Sequence, residues 1–374
     1  MRYRNIKIIY KNERTNKFKL NLRYKFKLNL ICSFLLTLII TIALKLDYIK
    51  VMYYISDNFG DNLNSFIFPL MTTRKVKFYN TISNYEKIKD LGNIKKLDRL
   101  AKTDIFFIGS ILTNLCDWNC VFSNLNNKYK SIITNWIFKI YDYFHPLKIF
   151  GAGFISDNNR NEAYLRNLKI IAVRGKITLE RFIRNGIKID NDVILADPGI
   201  LAPIILNMSS TKFEDRIHKL CIIPHCVEKH SSLLRKKIKV DGAIILDVLK
   251  NPKQFVVSLS KCKRVLSSSL HGLIVSDSLG IPNMRIVLSN KIIGGDYKYN
   301  DYYSAYGFNS TLKIDLLKTY FYEEQLSFID SKYNISQEMI VKKQCQLLIK
   351  FPYELSQNLK LLRNRIKYFL YQKK

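Results

Sequence analysis

The sequence predicts an α/β fold of two domains, each built on a mostly parallel sheet, with a cleft between them. Three observations predict it. Short apolar runs recur along the chain, among them KVMYYI at 50–55, LKIIAV at 168–173 and LCII at 220–223. They are continuous rather than alternating, the pattern of strands buried on both faces. Helical intervals separate them, as parallel connections require. A polar stretch, NMSSTKFEDR at 207–216, then interrupts a 374-residue chain long enough for two ordinary domains.

Lys50–Ile55 reads as the first strand, and the polar turn SDNFGDNLN at 56–64 opens an apolar segment from Ser65 to Met71. A loop after an early strand is a normal ligand position in α/β proteins. Strands TDIFFIG (103–109) and PLKIFGAG (146–153) both end in glycine. Leu168–Val173 delivers RGKITLERF into a helix, and Val193–Ala196 leads into the rigid turn ADPGILAP. In the second half, Leu220–Ile223 ends in PHC and Gly242–Leu246 is the next strand. Asn251–Cys262 is a helix with Pro252 near its start, a favoured position. Arg264–Leu266, a helix from SSSLHG onward and Ile281–Val287 complete the pattern. The boundaries expected are a basic extension over 1–48, α/β domains over 49–210 and 211–315, and a helical extension over 316–374, interrupted at Pro352.

The extension contains Leu30–Leu44, fifteen residues without a charge. As a helix this run covers about 22 Å, short of a bilayer core about 30 Å thick. Three readings fit it: a membrane-associated helix with basic flanks, a short single span, or an upstream docking segment. The first is preferred, because the basic flank precedes the helix and a true span would put the rest of the chain outside. The C-terminal LLRNRIKYFLYQKK reads as a packed amphipathic helix or as a membrane contact.

The net charge is +31, from 61 Lys and Arg against 30 Asp and Glu. That field attracts anions, whether phosphorylated substrates, anionic lipid or nucleic acid. No recognition helix or C-x-x-C finger supports a specific nucleic-acid partner. Neither G-x-G-x-x-G nor a P-loop occurs, which argues against a dinucleotide or P-loop site. The seven cysteines are loosely spaced, which fits a reducing compartment better than a disulfide scaffold. No metal is called for.

His271 is the strongest chemical candidate. It follows a strand within SSSLHG, where Ser268, Ser269 and a helix start can meet an anion, and histidine exchanges protons near neutral pH. His225 in IPHC ends another strand and can face the same cleft. Arg174, between a strand and a helix, can hold a carboxylate or phosphate, or else make a packing salt bridge. Asp197 in ADPG either orients a substrate hydroxyl or caps its turn. Asn58 and Asp61 suit sugar hydroxyls, with Gly60 giving a permissive backbone, unless this is a helix-capping turn. Over 294–307, GGDYKYNDYYSAYG offers Lys298 for a phosphate, Asp301 for a sugar hydroxyl and Tyr302 for a sugar face.

Taken together, DNFGDNLN (57–64), TDIFFIGS (103–110), GAGF (151–154), VRGKITLERF (173–182), DPGILAP (197–203), IPHC (223–226), SSSLHGLIVSDSLGIP (267–282) and DYYSAYG (301–307) resemble the polysaccharide pyruvyl transferase family, in family order. The first fifty residues lie outside the resemblance. It implies a GT-B-like fold of two Rossmann-like domains, here with an N-terminal hydrophobic helix and C-terminal helices. It implies phosphoenolpyruvate as donor and no cofactor. The acceptor is a sugar of a surface polysaccharide or of its lipid-diphosphate-linked precursor, and the products are a pyruvate ketal and phosphate. His271 falls at the family's active-site histidine and Arg174 at its V-R-G arginine. Ser269 stands where many members carry arginine, and Cys226 where an aromatic is common. The implied roles are His271 as general acid, with Asp61 or Asp197 on the acceptor hydroxyl. The implied location is the cytoplasmic face of the inner membrane, peripheral or N-terminally anchored, against an anionic surface. A GT-B glycosyltransferase using a nucleotide sugar, and a non-catalytic membrane-associated assembly protein, are the alternatives.

Overall fold

The computed structural model describes residues 48–53, 59–80, 103–108, 112, 146–157, 167–208, 212–249 and 251–372. The apolar run Leu30–Leu44, Asn58, Gly109, Cys116 and Cys120 lie outside the described residues. The chain divides at Ile49, and Lys50–Lys374 is one compact unit. That unit carries the sheets and helices that position the site.

It is a mixed α/β structure with parallel sheets. The first sheet contains β1 (Tyr48–Tyr53), β2 (Lys75–Asn80), β3 (Ile105–Phe106), β4 (Leu147–Phe150), β5 (Leu168–Val173) and β6 (Ile194–Leu195), in the order β2-β1-β3-β4-β5-β6. The second contains β7 (Cys221–Ile223), β9 (Ile244–Ile245), β10 (Val265–Ser267), β11 (Asn283–Val287) and β12 (Lys313–Asp315), in the order β12-β11-β10-β7-β9. Every pairing in the second sheet is parallel. A further two-stranded parallel sheet joins β8 (Ile238–Lys239) to β13 (Phe321–Tyr322).

The apolar runs explain this. β7 and β10 are buried at every residue, and β5 is buried at Ile170, Ala172 and Val173. Phe106, Ile149, Phe154, Val173 and Phe182 cluster in one core; Leu220, Ile222, Leu266, Ile286 and Phe321 cluster in another. Each such side chain contributes about 1.5–3 kcal/mol by leaving water.

Five helices matter for the site: α1 (Phe59–Met71), α2 (Lys176–Arg184), α3 (Pro252–Leu259), α4 (Leu270–Ser278) and α5 (Tyr297–Ser304). α3 starts as expected, with Pro252 in its first turn and the Asn251 side chain accepting from Lys253 N at 2.9 Å. In α4 every residue is buried, as befits a helix that is apolar nearly all round. Its Ser276 and Ser278 hydroxyls donate back to Gly272 O and Val275 O, so neither stays unsatisfied.

Two C-terminal helices follow, α6 (Gln337–Lys350) and α7 (Gln357–Gln372). α6 ends at Lys350 because Phe351 precedes Pro352 and takes an extended ψ of 123°. This tail is more than an appended extension. Phe351 packs on Phe68 and Phe150 of the first sheet layer, and Ser356 N donates to Met71 O at 2.8 Å. Among the described residues no helix is long and apolar enough to cross a membrane.

The cysteine expectation needs correction. Cys221 and Cys262 form a disulfide, with Cα atoms 5.8 Å apart. Loose spacing hid it because the pairing is set by the sheet. Cys221 lies opposite Val265 in the β7–β10 ladder, and a bridge between His218 and Cys262 extends that alignment.

Candidate active site

Strand ends build the site. Arg174 and Asp197 lie just past the ends of β5 and β6, while His225 lies just past β7 and Ser268 and Ser269 just past β10. In parallel sheets these carboxyl ends are where ligands bind.

His271 is the second residue of α4 and is 5% exposed. Its imidazole lies between two glycine backbones. A Cβ built on Gly60 would overlap the ring, and one built on Gly199 would stand 3.5 Å from its Cδ2. Gly60 is therefore needed for close approach, a different reason from the permissive backbone expected, since its φ is not positive. Gly60→Ala is expected to push the ring aside and to lower turnover on the order of 100-fold, the cost of about 1 Å of misplacement. Steady-state kinetics beside a thermal unfolding curve checks this; unchanged turnover would mean the ring position is not critical.

Asp197 makes the cap, one of the two readings the sequence left open. It caps the turn Pro198–Leu201, its Oδ1 accepting from Gly199 N at 2.9 Å. Its Oδ2 faces His271 Nε2 at 3.9 Å. Both of these atoms are buried without a hydrogen-bond partner. A buried polar pair without partners is costly, and such costs concentrate at functional sites.

The electrostatics are lopsided. Burial pushes the Asp197 carboxyl up to about 7, opposed by Gly199 N–H and Arg174 and reinforced by Asp301. Burial, then the charges of Arg174, Lys298 and His225, push His271 down to about 3. Burial and Lys298 likewise push His225 down to about 3. Lys298 is pushed down to about 8 by burial first and then Arg174, with Asp61 opposing. Linkage gives the signs for stability. Asp197 keeps a proton that the unfolded chain releases, so its contribution is lost as pH rises through about 7. His271 and His225 lack protons that the unfolded chain binds, so theirs is lost as pH falls from the ordinary histidine range towards about 3.

Two expectations, for Asp301 and Tyr302, meet a different geometry, and Arg174 makes the packing salt bridge that was its second reading. Arg174, fully buried, gives Nε to Asp301 Oδ2 at 2.9 Å and Nη2 to Phe154 O at 2.5 Å. Both of these nitrogens are given to protein acceptors. Asp301, expected at a sugar hydroxyl, is fully buried and also accepts from Thr178 N at 2.8 Å and Thr178 Oγ1 at 2.7 Å. Tyr302, expected on a sugar face, is buried and donates to Asp277 Oδ2 at 2.9 Å. The reason is that the aromatic stretch is a helix, α5. Lys298, Tyr299, Asp301 and Tyr302 share its buried face, as positions three and four apart do.

The serines mainly stitch the turns together. Ser268 Oγ accepts from His225 N at 2.9 Å, tying the IPHC turn to the SSSLHG turn. Ser269 N donates to Ser267 Oγ at 3.0 Å, and the Ser269 side chain makes no capping hydrogen bond. Asp61 lies in the first turn of α1, where a carboxylate complements the helix dipole.

Sequence reasoning missed several partners. Thr178 holds Asp301, and Tyr299 donates to Ser268 O at 2.6 Å while Arg285 stacks 3.7 Å over its ring. Asn64, inside the entry motif, brackets Ile108 with both amide atoms and so fixes α1 to the end of β3. A buried-polar position in each motif was the available signal. Among the described residues no group of three or more His, Cys, Asp or Glu is arranged to hold a metal.

Comparison with known proteins adds three findings. Residues 6–290 match the family described as polysaccharide pyruvyl transferase. The match starts well inside the first fifty residues, which the motifs alone placed outside the resemblance, and it stops before DYYSAYG. A 141-residue stretch, 36% of the chain, is 33% identical to a protein of Acanthamoeba polyphaga mimivirus described as uncharacterized protein L143, and it spans 47% of that protein. No solved structure matches.

Proposed function

From the premise that this chain belongs to the polysaccharide pyruvyl transferase family, we propose that it moves the pyruvyl group of phosphoenolpyruvate onto two hydroxyls of a glycan, forming a pyruvate ketal and releasing phosphate. The observation that carries the site assignment is the pair His271 Nε2 and Asp197 Oδ2, 3.9 Å apart, both buried and both without hydrogen-bond partners.

The chemistry follows from the charges. Below about pH 7 the pair holds one proton, and it sits on Asp197. A bound phosphoenolpyruvate brings a carboxylate and a phosphate beside His271. Their negative charge offsets the field of Lys298 and Arg174 and raises the imidazole's affinity for a proton. The proton moves to His271, which delivers it to the donor's methylene carbon as general acid. The neighbouring carbon becomes electrophilic, and an acceptor hydroxyl adds to it. Asp197, now ionised, or Asp61 takes that hydroxyl's proton. The C–O bond to phosphate breaks, a second hydroxyl adds and gives its proton to the departing phosphate, and the ketal closes. Lys298 and the first-turn amides of α4 stabilise the charge gathering on phosphate. Ser269 adds a hydroxyl where many relatives place arginine. Arg174 acts by its charge and by holding α5, and His225 lines the donor pocket.

This gives an expected pH profile. kcat/KM for phosphoenolpyruvate is flat below about 7 and falls above it, as the free enzyme loses the proton held on Asp197. Arg174, Asp301, Lys298, His225 and the Tyr306 hydroxyl are, among the described residues, charged or titratable groups that act on this pair. In Asp197→Asn the limb near 7 disappears along with most of the activity. A limb of unchanged position in that variant would place the titrating group elsewhere.

The finer architecture belongs to the same reading. Strands up to Leu195 form one sheet, and strands from Cys221, apart from the β8–β13 pair, form the second, which supports two Rossmann-like domains over 49–210 and 211–315 in a GT-B-like arrangement. The acceptor is a glycan or a lipid-diphosphate-linked oligosaccharide. A net charge of +31 suits attachment to an anionic membrane surface, and the basic extension adds to that attraction. Phosphoenolpyruvate supply puts the catalytic part on the cytoplasmic face; the Cys221–Cys262 bond is the feature that weighs against a reducing compartment.

A further inference from the structure

Helix α6 lies beyond the stretch that matches the family, yet it grips both halves of the reactive pair. Lys343 Nζ donates to Leu195 O at 2.6 Å, and Gln344 Nε2 donates to Ile200 O at 2.8 Å. Leu195 ends the strand before Asp197, and Ile200 belongs to the turn after it. Two successive helix residues therefore hold the Asp197 strap on either side of the carboxylate. At the other end of the same helix, Gln337 Nε2 donates to Asp277 O at 3.1 Å, in the last turn of the helix that carries His271. Gly280, with φ of +64°, lies against the Gln337 amide, which a Cβ there would meet at 2.8 Å.

We infer that α6 is the ruler that sets the separation of Asp197 and His271, and that Lys343, Gln344 and Gln337 are positioning residues for the reaction. The inference rests on the role proposed for the Asp197–His271 pair. A helix is rigid over its length, and side-chain amides bonded to buried carbonyls hold their targets to a few tenths of an ångström. Asp197 makes no bond from Oδ2 to any protein donor, so its aim at His271 depends on the strap alone. The strap is tied to the sheet by Ala196 N, which donates to Val173 O at 2.9 Å, and to α6 by Lys343 and Gln344. Gln344 is 5% exposed and keeps an uncharged donor against Ile200 O in a place where leucine would fit by volume; packing by itself would be served as well by the apolar residue.

The test uses the full chain and the variants Gln344→Leu, Lys343→Met and Gln337→Ala, beside Asp197→Asn. Phosphate release from phosphoenolpyruvate is followed across pH, and thermal unfolding is recorded for each protein. The expected result for Gln344→Leu and Lys343→Met is a loss in kcat of about tenfold or more with KM for phosphoenolpyruvate changed by less than about twofold, and displacement of the pH limb assigned to the pair. Gln337→Ala, acting on the His271 side, moves the same limb. Wild-type kcat and an unmoved limb in all three, while Asp197→Asn is inactive, would overturn the ruler and leave the site reading standing. Full activity in Asp197→Asn would instead overturn the site reading itself. Should Gln344→Leu fail to fold, Lys343→Met and Gln337→Ala carry the same readout.

Discussion

His271→Ala is expected to lower pyruvyl transfer by about 10²- to 10⁴-fold, the usual worth of a positioned general acid, while leaving the fold intact. The imidazole sits between Gly60 and Gly199, faces Asp197 Oδ2 and makes no hydrogen bond through Nε2. Removing it deletes the group at the start of α4 to which the proposed mechanism assigns the proton transfer. Stability should change little in the damaging direction, because the lost ring is a desolvated polar group whose partner, Asp197, is already protonated below about pH 7. His271→Gln should behave alike, since it fills space without titrating. Kinetics with a full acceptor, beside chemical denaturation, checks both halves. Turnover within a few-fold of wild type would remove His271 from the chemistry.

The largest expected effect on stability comes from Asp301→Ala. Asp301 and Arg174 form an ion pair with both side chains fully buried. Replacing a buried pair by apolar residues can be neutral, but removing one member strands the other, at a cost of about 3–5 kcal/mol. Here the loss is wider, because Thr178 N and Oγ1 also lose their acceptor. Arg174 and Thr178 belong to the end of β5 and the start of α2, while Asp301 is on α5, more than a hundred residues on. The variant should therefore loosen the attachment of α5 and displace Lys298 as well, raising KM for phosphoenolpyruvate. Urea titration measures the first effect and kinetics the second. A denaturation midpoint equal to wild type would show that the pair carries no such burden.

Much of this was legible in the sequence, for identifiable reasons. The span Leu168–Val173 is a strand with the expected bounds because six apolar-rich residues meet a glycine and a helix start. His271, Asp197 and Gly60 converge as their motifs imply, since each follows or faces a strand end where parallel sheets put their loops. The roles of Asp301 and Tyr302 were not legible. Polar and aromatic residues read alike on a sugar-binding loop and on a buried helix face, and only the Thr178 and Asp277 partners separate the two. Lys343 and Gln344 were invisible for another reason. Their targets are backbone carbonyls, which leave no residue-type signal in the strand they grip. The Cys221–Cys262 bond shares that fate, as its register is a property of the sheet.

The central claim is tested most directly by phosphate release from phosphoenolpyruvate, using the full-length protein with lipid-linked glycans extracted from the source's own membranes, and mass spectrometry of the glycan in the same sample. The account predicts acceptor-dependent release matched by a glycan heavier by one pyruvate less one water, both abolished in His271→Ala. Folded protein that binds the acceptor but gives neither release nor mass gain, and that transfers sugar from a nucleotide donor instead, would contradict it.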